Sequence, residues 1–190
     1  ACGPRGFYGT TGPHLVLEST LASFLRCESA IVYSAGVATA SSVLPALVQP
    51  GDRVVVGAEA HLGIRTGLRL CKAEVSWVEH DSAAAVERAL AAVADRDQPQ
   101  DRKKQQRRTF VVAEAICQRT GRVAPLAELV ALKEKYGALL VLDESLSVGT
   151  LGAGGRGLCE ASGMEPPAWT PSWAPWSTPS PMWGASAPAA

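Results

Sequence analysis

Short apolar runs of strand length alternate with helix-length segments between about residues 13 and 150. The strand-like runs are Arg53 to Val56, Glu74 to Val78, Phe110 to Ala113 and Leu139 to Leu142. The last two are apolar at every position, which is typical of parallel strands that helices cover on both faces. The alternation therefore predicts an α/β fold: three α/β/α layers around a mostly parallel sheet.

The segments between these runs carry the spacing or the end signals of helices. The pattern predicts a helix that begins at Pro13, helices over Val37 to Leu47, Glu59 to Lys72 and Ser82 to Ala94, and a helix from Pro125 to Gly137. Ser82 is a favourable N-cap residue, and proline at the start and glycine at the end are the usual boundary residues.

Composition excludes several classes of partner. The 18 basic and 18 acidic side chains give a formal net charge of zero, so no long-range field attracts nucleic acid or an anionic membrane. The five cysteines are an odd number without C-x-x-C spacing, and we predict neither a disulfide framework nor a metal site. No apolar run approaches the roughly 20 residues that span a bilayer, so we expect no membrane segment in this chain.

Two stretches interrupt the globular pattern. Residues 95–108 contain no apolar residue and no aromatic ring that could stack on a base, so we predict a polar surface insertion and not a nucleic-acid patch. The Trp/Pro/Ser-rich residues 165–190 show no helical or strand period, and we expect a disordered tail after a folded region 1–164. That tail is either an interaction segment or an altered chain end. Because the chain begins at Ala1, we also expect it to be a piece of a longer protein.

Asp143 is the strongest candidate for a functional residue on position alone. It follows the buried run Leu139 to Leu142, at the strand end where open α/β sheets hold ligands. Its carboxylate can pair with a cationic ring nitrogen, or it can cap the next turn. The glycines that follow, between Gly149 and Gly157, predict a tight loop and not a phosphate cradle, because the spacing fits no nucleotide-binding motif.

Four segments resemble, in order, the motifs of the α-oxoamine synthases, pyridoxal-phosphate enzymes that condense an amino acid with an acyl-CoA. CGPRGFYGTTGPHLVLE (Cys2 to Glu18) is similar to the family's opening motif. YSAGVATA (Tyr33 to Ala40) is similar to its cofactor-phosphate turn, and AHLGIRTGLRLCKA (Ala60 to Ala73) to its N-H-x-S segment. DESLSVGTLGAGGRG (Asp143 to Gly157) is similar to its acidic and glycine-rich signature. The resemblance covers about residues 1 to 164.

This resemblance implies the large domain of a fold-type I pyridoxal-phosphate transferase, here incomplete, since the family's sheet has seven strands. It places Asp143 against the cofactor ring nitrogen and His61 against the ring face. It places Ser34, Ala35 and Gly36 at the phosphate. For His61 the alternative is a helix-start histidine without a ligand, and we expect His14 and His80 to make structural hydrogen bonds.

Two departures from the family pattern bear on activity. Catalytic relatives carry histidine where this chain has Leu146, and leucine can neither donate a hydrogen bond nor carry a proton. No lysine matches the family's cofactor-binding lysine. We therefore predict no catalytic residue in this chain. Together with the opening CGPRGFYGT, the departures resemble the long-chain-base subunit 1 branch of the family, the non-catalytic subunit type of serine palmitoyltransferase.

The subunit-1 resemblance implies a heterodimer with the catalytic subunit 2 of serine palmitoyltransferase. That partner would hold the pyridoxal phosphate and join L-serine to palmitoyl-CoA to give 3-ketosphinganine, at the cytosolic face of the endoplasmic reticulum membrane. Two alternatives remain open. The chain is a catalytic α-oxoamine synthase that has lost its lysine-bearing part, or it is an inert or interaction-only splice fragment.

Overall fold

A computed structural model describes residues 3–79, 82–96, 107–164 and 172–173. After a single π-helical turn at Arg5–Gly9, the elements in chain order are α1 (Gly12–Leu25), α2 (Gly36–Leu47), β1 (Arg53–Gly57), α3 (Leu62–Cys71), β2 (Glu74–Val78), α4 (Ala83–Asp95), β3 (Thr109–Glu114), α5 (Leu126–Tyr136), β4 (Leu139–Asp143), α6 (Leu158–Ala161) and β5 (Ser172–Trp173). None of the helices in the described ranges combines the length and apolar character that a membrane crossing needs.

The sheet has the order β2-β1-β3-β4-β5, and all its strand pairs are parallel. Its two faces are covered separately. On one face α2 and α3 pack against side chains such as Val54, Val112 and Val141. On the other face α4 and α5 pack against side chains such as Val111 and Leu140. The predicted three-layer α/β/α fold is confirmed.

The predicted ends of the helices and strands agree closely with the observed ends, except at the start of α3. Ser82 caps α4 by accepting a hydrogen bond from the Ala85 N–H, and Gly137 ends α5 in the left-handed conformation. Helix α3 does not begin at Glu59 as predicted: it begins at Leu62, because the chain first makes a turn after β1 and His61 then supplies the N-cap. The sequence prediction included this turn in the helix because Glu59 and Ala60 both have favourable helix propensities.

The predicted insertion and tail fall largely outside the described residues. Of the insertion, only its two ends lie within the described ranges, 95–96 and 107–108. The second end is anchored: Asp52 accepts hydrogen bonds from the Arg108 backbone N–H (3.0 Å) and guanidinium (2.8 Å). Of the tail, only Ser172–Trp173 is described, and it pairs in parallel with Leu142 and Asp143 of β4. The division at residue 164 stays a prediction.

Helices α2 and α3 approach closely at Gly67. A Cβ atom on this glycine would lie 2.8 Å from the Ala40 carbonyl oxygen and 3.0 Å from Leu44 Cδ1. Backbone cannot yield as the end of a long side chain can, so the contact requires a residue without a side chain. The position of α3, and of the cap residue at its start, depends on this contact.

We expect Gly67→Ala to lower the free energy of unfolding by about 1–3 kcal/mol relative to a matched control, because the new methyl group overpacks the α2–α3 contact. The control is Gly12→Ala, which adds the same methyl group in the first turn of α1, where its Cβ would meet nothing within 4 Å. Urea denaturation followed by circular dichroism measures both variants. Equal midpoints for the two would contradict the predicted overpacking.

Candidate functional site

The candidate site lies where the direction of strand addition reverses. From β1 the chain crosses to β2 on one side and then to β3 on the other, so the carboxyl ends of β1 and β3 border a crevice. Such switch points are where open α/β sheets hold ligands. The loop after β1 carries His61, β3 ends at Glu114 and β4 ends at Asp143.

His61 and Asp143 form a direct pair, as their two motifs are brought together by the fold. His61 Nε2 lies 2.6 Å from Asp143 Oδ2, across 82 residues of sequence. His61 Nδ1 accepts a hydrogen bond from the Gly63 N–H at 3.0 Å, which makes His61 the N-cap of α3. Because Nδ1 is an acceptor, the ring proton sits on Nε2 and is donated to Asp143.

Asp143 is held from its other side by the chain that follows it. Its Oδ1 accepts from the Ser145 N–H at 2.9 Å and from the Ser145 hydroxyl. The carboxylate is 2% exposed, so its charge lies inside the protein. Both expected roles of Asp143, a charge at the ligand crevice and a cap of the next turn, are thus compatible with one geometry.

Glu114 is a third member of the site, and sequence reasoning missed it. It is the register partner of Asp143 on the neighbouring strand and is 3% exposed. Side chains alternate along a strand, so Glu114 and Asp143 lie on the same face as Val112 and Val141, which is the α2/α3 face. The sequence could have identified Glu114, because it directly follows the apolar run of β3 as Asp143 follows that of β4.

The three groups alter one another's protonation. Burial raises the pKa of Glu114 to about 7; the nearby His61 opposes this shift and the nearby Asp143 adds to it. Burial lowers the pKa of His61, but the hydrogen bond to Asp143 and the two carboxylate charges outweigh it, so that pKa is raised overall. The folded site therefore retains protons that the unfolded chain would release.

Ser34, Ala35 and Gly36 lie at the N-terminus of α2, where Ala35 is the N-cap residue and Gly36 the first helical residue. Helix α2 runs towards the start of β1, so this end lies at the carboxyl edge of the sheet. Ser34 and Ala35 are exposed and Gly36 is half-buried. The unpaired N–H groups of a helix N-terminus suit a phosphate, as the resemblance implies for these residues.

The described lysines lie at the opposite edge. Lys72 ends α3 just before β2, and Lys133 and Lys135 lie in the last turn of α5, before β4. The amino ends of the strands are there, whereas Glu114 and Asp143 are at the carboxyl ends. The described residues thus fit the ring nitrogen and phosphate of pyridoxal phosphate, but these lysines cannot bond to a cofactor held by Asp143.

The loop after Asp143 is built around a second buried acid. Glu144 is 4% exposed, and its carboxylate accepts hydrogen bonds from the Leu158 N–H (2.9 Å) and the Ser147 hydroxyl. A Cβ on Gly157 would lie 2.5 Å from Glu144 Oε2, and Gly157 has a φ of +94°. The glycine-rich stretch is therefore a tight loop, as predicted. Leu146 is 42% exposed on it.

The other histidines are structural or lie outside the described residues. His14 Nδ1 accepts from the Thr11 N–H at 3.1 Å and completes a capping box at the start of α1. Its predicted structural role is confirmed. His80 lies outside the described residues.

We expect the free energy of unfolding to fall as pH rises from about 5 to 8, by about 1–3 kcal/mol. The pKa values of Glu114 and His61 are raised in the folded chain, so it binds more protons than the unfolded chain across this range. Chemical denaturation at a series of pH values measures the slope. Glu114→Gln should flatten it, whereas Glu87→Gln, in an exposed ion pair with Lys135, should not. An unchanged slope in Glu114→Gln would contradict this assignment.

Residues 1–164 match the family model described as aminotransferase class I and II. The chain is 40% identical over 164 residues to "Long chain base biosynthesis protein 1b" of Oryza sativa subsp. japonica, covering 86% of this chain and 33% of that protein. It is 38% identical over 160 residues to "Serine palmitoyltransferase 1" of Dictyostelium discoideum, covering 84% of this chain and 33% of that protein. The chain thus spans about a third of the length of these relatives.

A solved structure of Sphingomonas wittichii serine palmitoyltransferase superposes with a TM-score of 0.83 at 28% identity, over 97% of this chain and 44% of that one. A structure described as serine palmitoyltransferase with pyridoxal phosphate gives a TM-score of 0.82 at the same identity, with the same shares of the two chains covered. The family match over residues 1–164 and the shared fold confirm the family resemblance that the sequence motifs indicate. The chain belongs to the aminotransferase class I and II family.

Proposed function

We propose that this chain is part of a non-catalytic, subunit-1-type component of serine palmitoyltransferase. In this role it pairs with the catalytic subunit 2, which joins L-serine to palmitoyl-CoA with loss of CO2 to give 3-ketosphinganine. Its contribution is to complete and stabilise the partner's site. The similarity to proteins named long chain base biosynthesis protein 1 and serine palmitoyltransferase 1 supports this assignment.

One observation carries the non-catalytic role: Leu146 lies exposed on the loop after β4, at the position where the catalytic members of the resembling family carry a histidine. When bound, pyridoxal phosphate supplies an electron sink for a carbanion, and it needs a lysine amine to enter and leave the cycle. On the loop after β4, Leu146 has no group that can move a proton. His61, Asp143 and the helix end at Ser34 to Gly36 would hold only the ring and the phosphate.

Exposed apolar side chains near the start of the chain support a protein partner. Phe7 and Tyr8 are each 72% exposed, and on α1 Leu15 is 58% and Val16 is 66% exposed. Exposed large apolar side chains that lie close together in sequence commonly mark a surface that another protein covers. The proposal also includes a division of the chain into a folded part, residues 1–164, and a tail, residues 165–190. It further places the chain at the cytosolic face of the endoplasmic reticulum membrane, as the resemblance implies.

Co-expression with a catalytic subunit 2 tests the proposal. We expect affinity capture of this chain to retain the partner at one-to-one stoichiometry, and the complex to release CO2 from serine and palmitoyl-CoA above the level of the partner alone. Val16→Asp should reduce the captured partner at least fivefold. Leu70→Asp, at an equally exposed position on α3, is the control and should capture normally.

A full-length subunit 1 run in parallel makes a negative result meaningful. If that protein captures subunit 2 and this chain does not, the subunit role is wrong for this chain. An inert or interaction-only fragment would then be favoured, provided that the chain is folded and also binds no cofactor.

A second candidate, a catalytic α-oxoamine synthase, is favoured by the 2.6 Å pair of His61 and Asp143 at the carboxyl edge. Fluorescence titration with pyridoxal phosphate separates the two functions, because a catalytic chain that has lost its lysine-bearing part can still hold the cofactor non-covalently. We expect weak binding that His61→Ala leaves unchanged. Tight, saturable binding that His61→Ala weakens at least tenfold would favour the catalytic function instead.

A further inference from the structure

Helix α3 turns one face to the protein and the opposite face to solvent. Its buried side chains, among them Ile64 and Leu68, follow the helical period and pack on α2 and the sheet. The opposite face is not purely polar, as a helix surface that meets only water would be. Leu62 is 75% and Leu70 is 61% exposed, and about 12 Å of helix axis separates them. Large apolar side chains therefore lie at both ends of the outer face.

The charged groups of this outer face are all positive. Arg65 and Arg69 lie on it, Lys72 ends the helix beside them, and α3 itself contains no acidic residue. The nearest acids in sequence, Glu59 and Glu74, are each paired with an arginine outside α3. Within the described part of the chain, none of the three cations of this face forms an ion pair. Although the whole chain has a formal net charge of zero, this face is therefore locally basic.

Trp77 extends the outer face of α3 onto the sheet. Strand β2 is the edge strand of the order β2-β1-β3-β4-β5, and Trp77 is 45% exposed on it. The guanidinium carbon of Arg65 lies 4.8 Å from the centre of the Trp77 ring, and Arg65 Nη1 donates a 3.0 Å hydrogen bond to the Ala58 carbonyl. These contacts hold the indole beside the helix. Together the apolar and basic side chains form one surface, the α3 surface: Leu62, Arg65, Arg69, Leu70, Lys72 and Trp77.

We propose that the α3 surface binds the headgroup region of a lipid bilayer that contains anionic lipids. Leucine side chains and an indole ring suit the boundary between headgroups and acyl chains, and arginine and lysine pair with lipid phosphates. Three cations without carboxylate partners are complementary to a negatively charged membrane surface. Arg69 and Lys72 also suit the negative end of the helix dipole, but that role does not require exposed leucines or an exposed tryptophan.

The geometry of α3 allows this contact without a change in fold. The helix has 10 residues, about 15 Å of length, and its inner face is fully covered, so the outer face alone meets the bilayer. Attraction between the cations and the lipid acts within about 8–10 Å at moderate ionic strength, so it works at contact and does not need a net charge on the chain. Such contact would hold the chain flat against the membrane surface.

Flotation with lipid vesicles tests the proposal on the full 190-residue chain, without subunit 2. The vesicles consist of phosphatidylcholine alone or of phosphatidylcholine with about one third phosphatidylserine. We expect the chain to float with the anionic vesicles and to partition at least tenfold more weakly onto phosphatidylcholine alone. Salt at about 1 M should release it, because the range of the attraction then falls to about 3 Å.

Two pairs of variants locate the contact. Arg69→Glu should weaken partitioning onto the anionic vesicles at least fivefold, because it reverses a charge on the α3 surface. Arg88→Glu makes the same change at an exposed position of α4, on the opposite face of the sheet, and should change partitioning less than twofold. Leu70→Ser should weaken partitioning at least threefold, whereas Leu15→Ser, at a similarly exposed position of α1, should not.

No flotation of the native chain, or equal partitioning onto both kinds of vesicle, would overturn the proposal. Equal losses in Arg69→Glu and Arg88→Glu would also overturn it, because binding would then depend on total charge and not on this surface. Retention on immobilised polyglutamate without flotation would indicate an acidic protein partner instead. Circular dichroism checks the fold of each variant, and if Arg69→Glu does not fold, the comparison of Leu70→Ser with Leu15→Ser decides.

The inference goes beyond the proposed subunit role and can fail separately from it. Vesicle binding is measured on this chain alone, whereas the subunit role is measured by capture of subunit 2. Variants of the α3 surface should capture subunit 2 normally, as expected for Leu70→Asp, so a failed flotation leaves the capture result standing.

Discussion

The parallel register between β3 and β4 is the constraint on which the candidate site depends. It sets Glu114 opposite Asp143, and it does so through the apolar residues that precede them, since Val112 and Val141 are buried on the same face. A slip of one residue in either strand would turn its acid to the α4/α5 face and bury apolar side chains in the wrong layer. Hydrophobic packing, and not attraction between polar groups, therefore brings the two carboxyl groups together.

His61, the remaining member of the site, is positioned by the packing of α3 on α2. His61 caps α3, so its place is determined by how closely α3 lies on α2, and Gly67 permits that approach at the Ala40 carbonyl. The 2.6 Å pair with Asp143 thus joins the helix layer to the sheet. An imidazole from one layer and two carboxylates from another form a site only because both layers pack on the same apolar surface.

Much of this architecture could be predicted from the sequence, because strands buried on both faces read as continuous apolar runs and caps carry specific residues such as Ser82 and Gly137. The motifs also singled out His61 and Asp143, but a motif does not state that two residues touch. Glu114 was missed because its importance comes from strand register, which pairs it with a residue on another strand. The start of α3 was placed too early because propensity favours helix at Glu59, whereas the turn after β1 depends on tertiary structure.

His61 combines two tasks in one ring, since Nδ1 caps a helix and Nε2 holds a buried acid. Most substitutions of His61 would therefore be harmful for two unrelated reasons. A loss of function alone would not show whether the cap of α3 or the contact with Asp143 had been lost. Asparagine, a favoured N-cap residue too short to span both contacts, would retain the first task and lose the second. Comparison of asparagine with alanine at this one position would therefore separate the loss of the helix cap from the loss of the contact with Asp143.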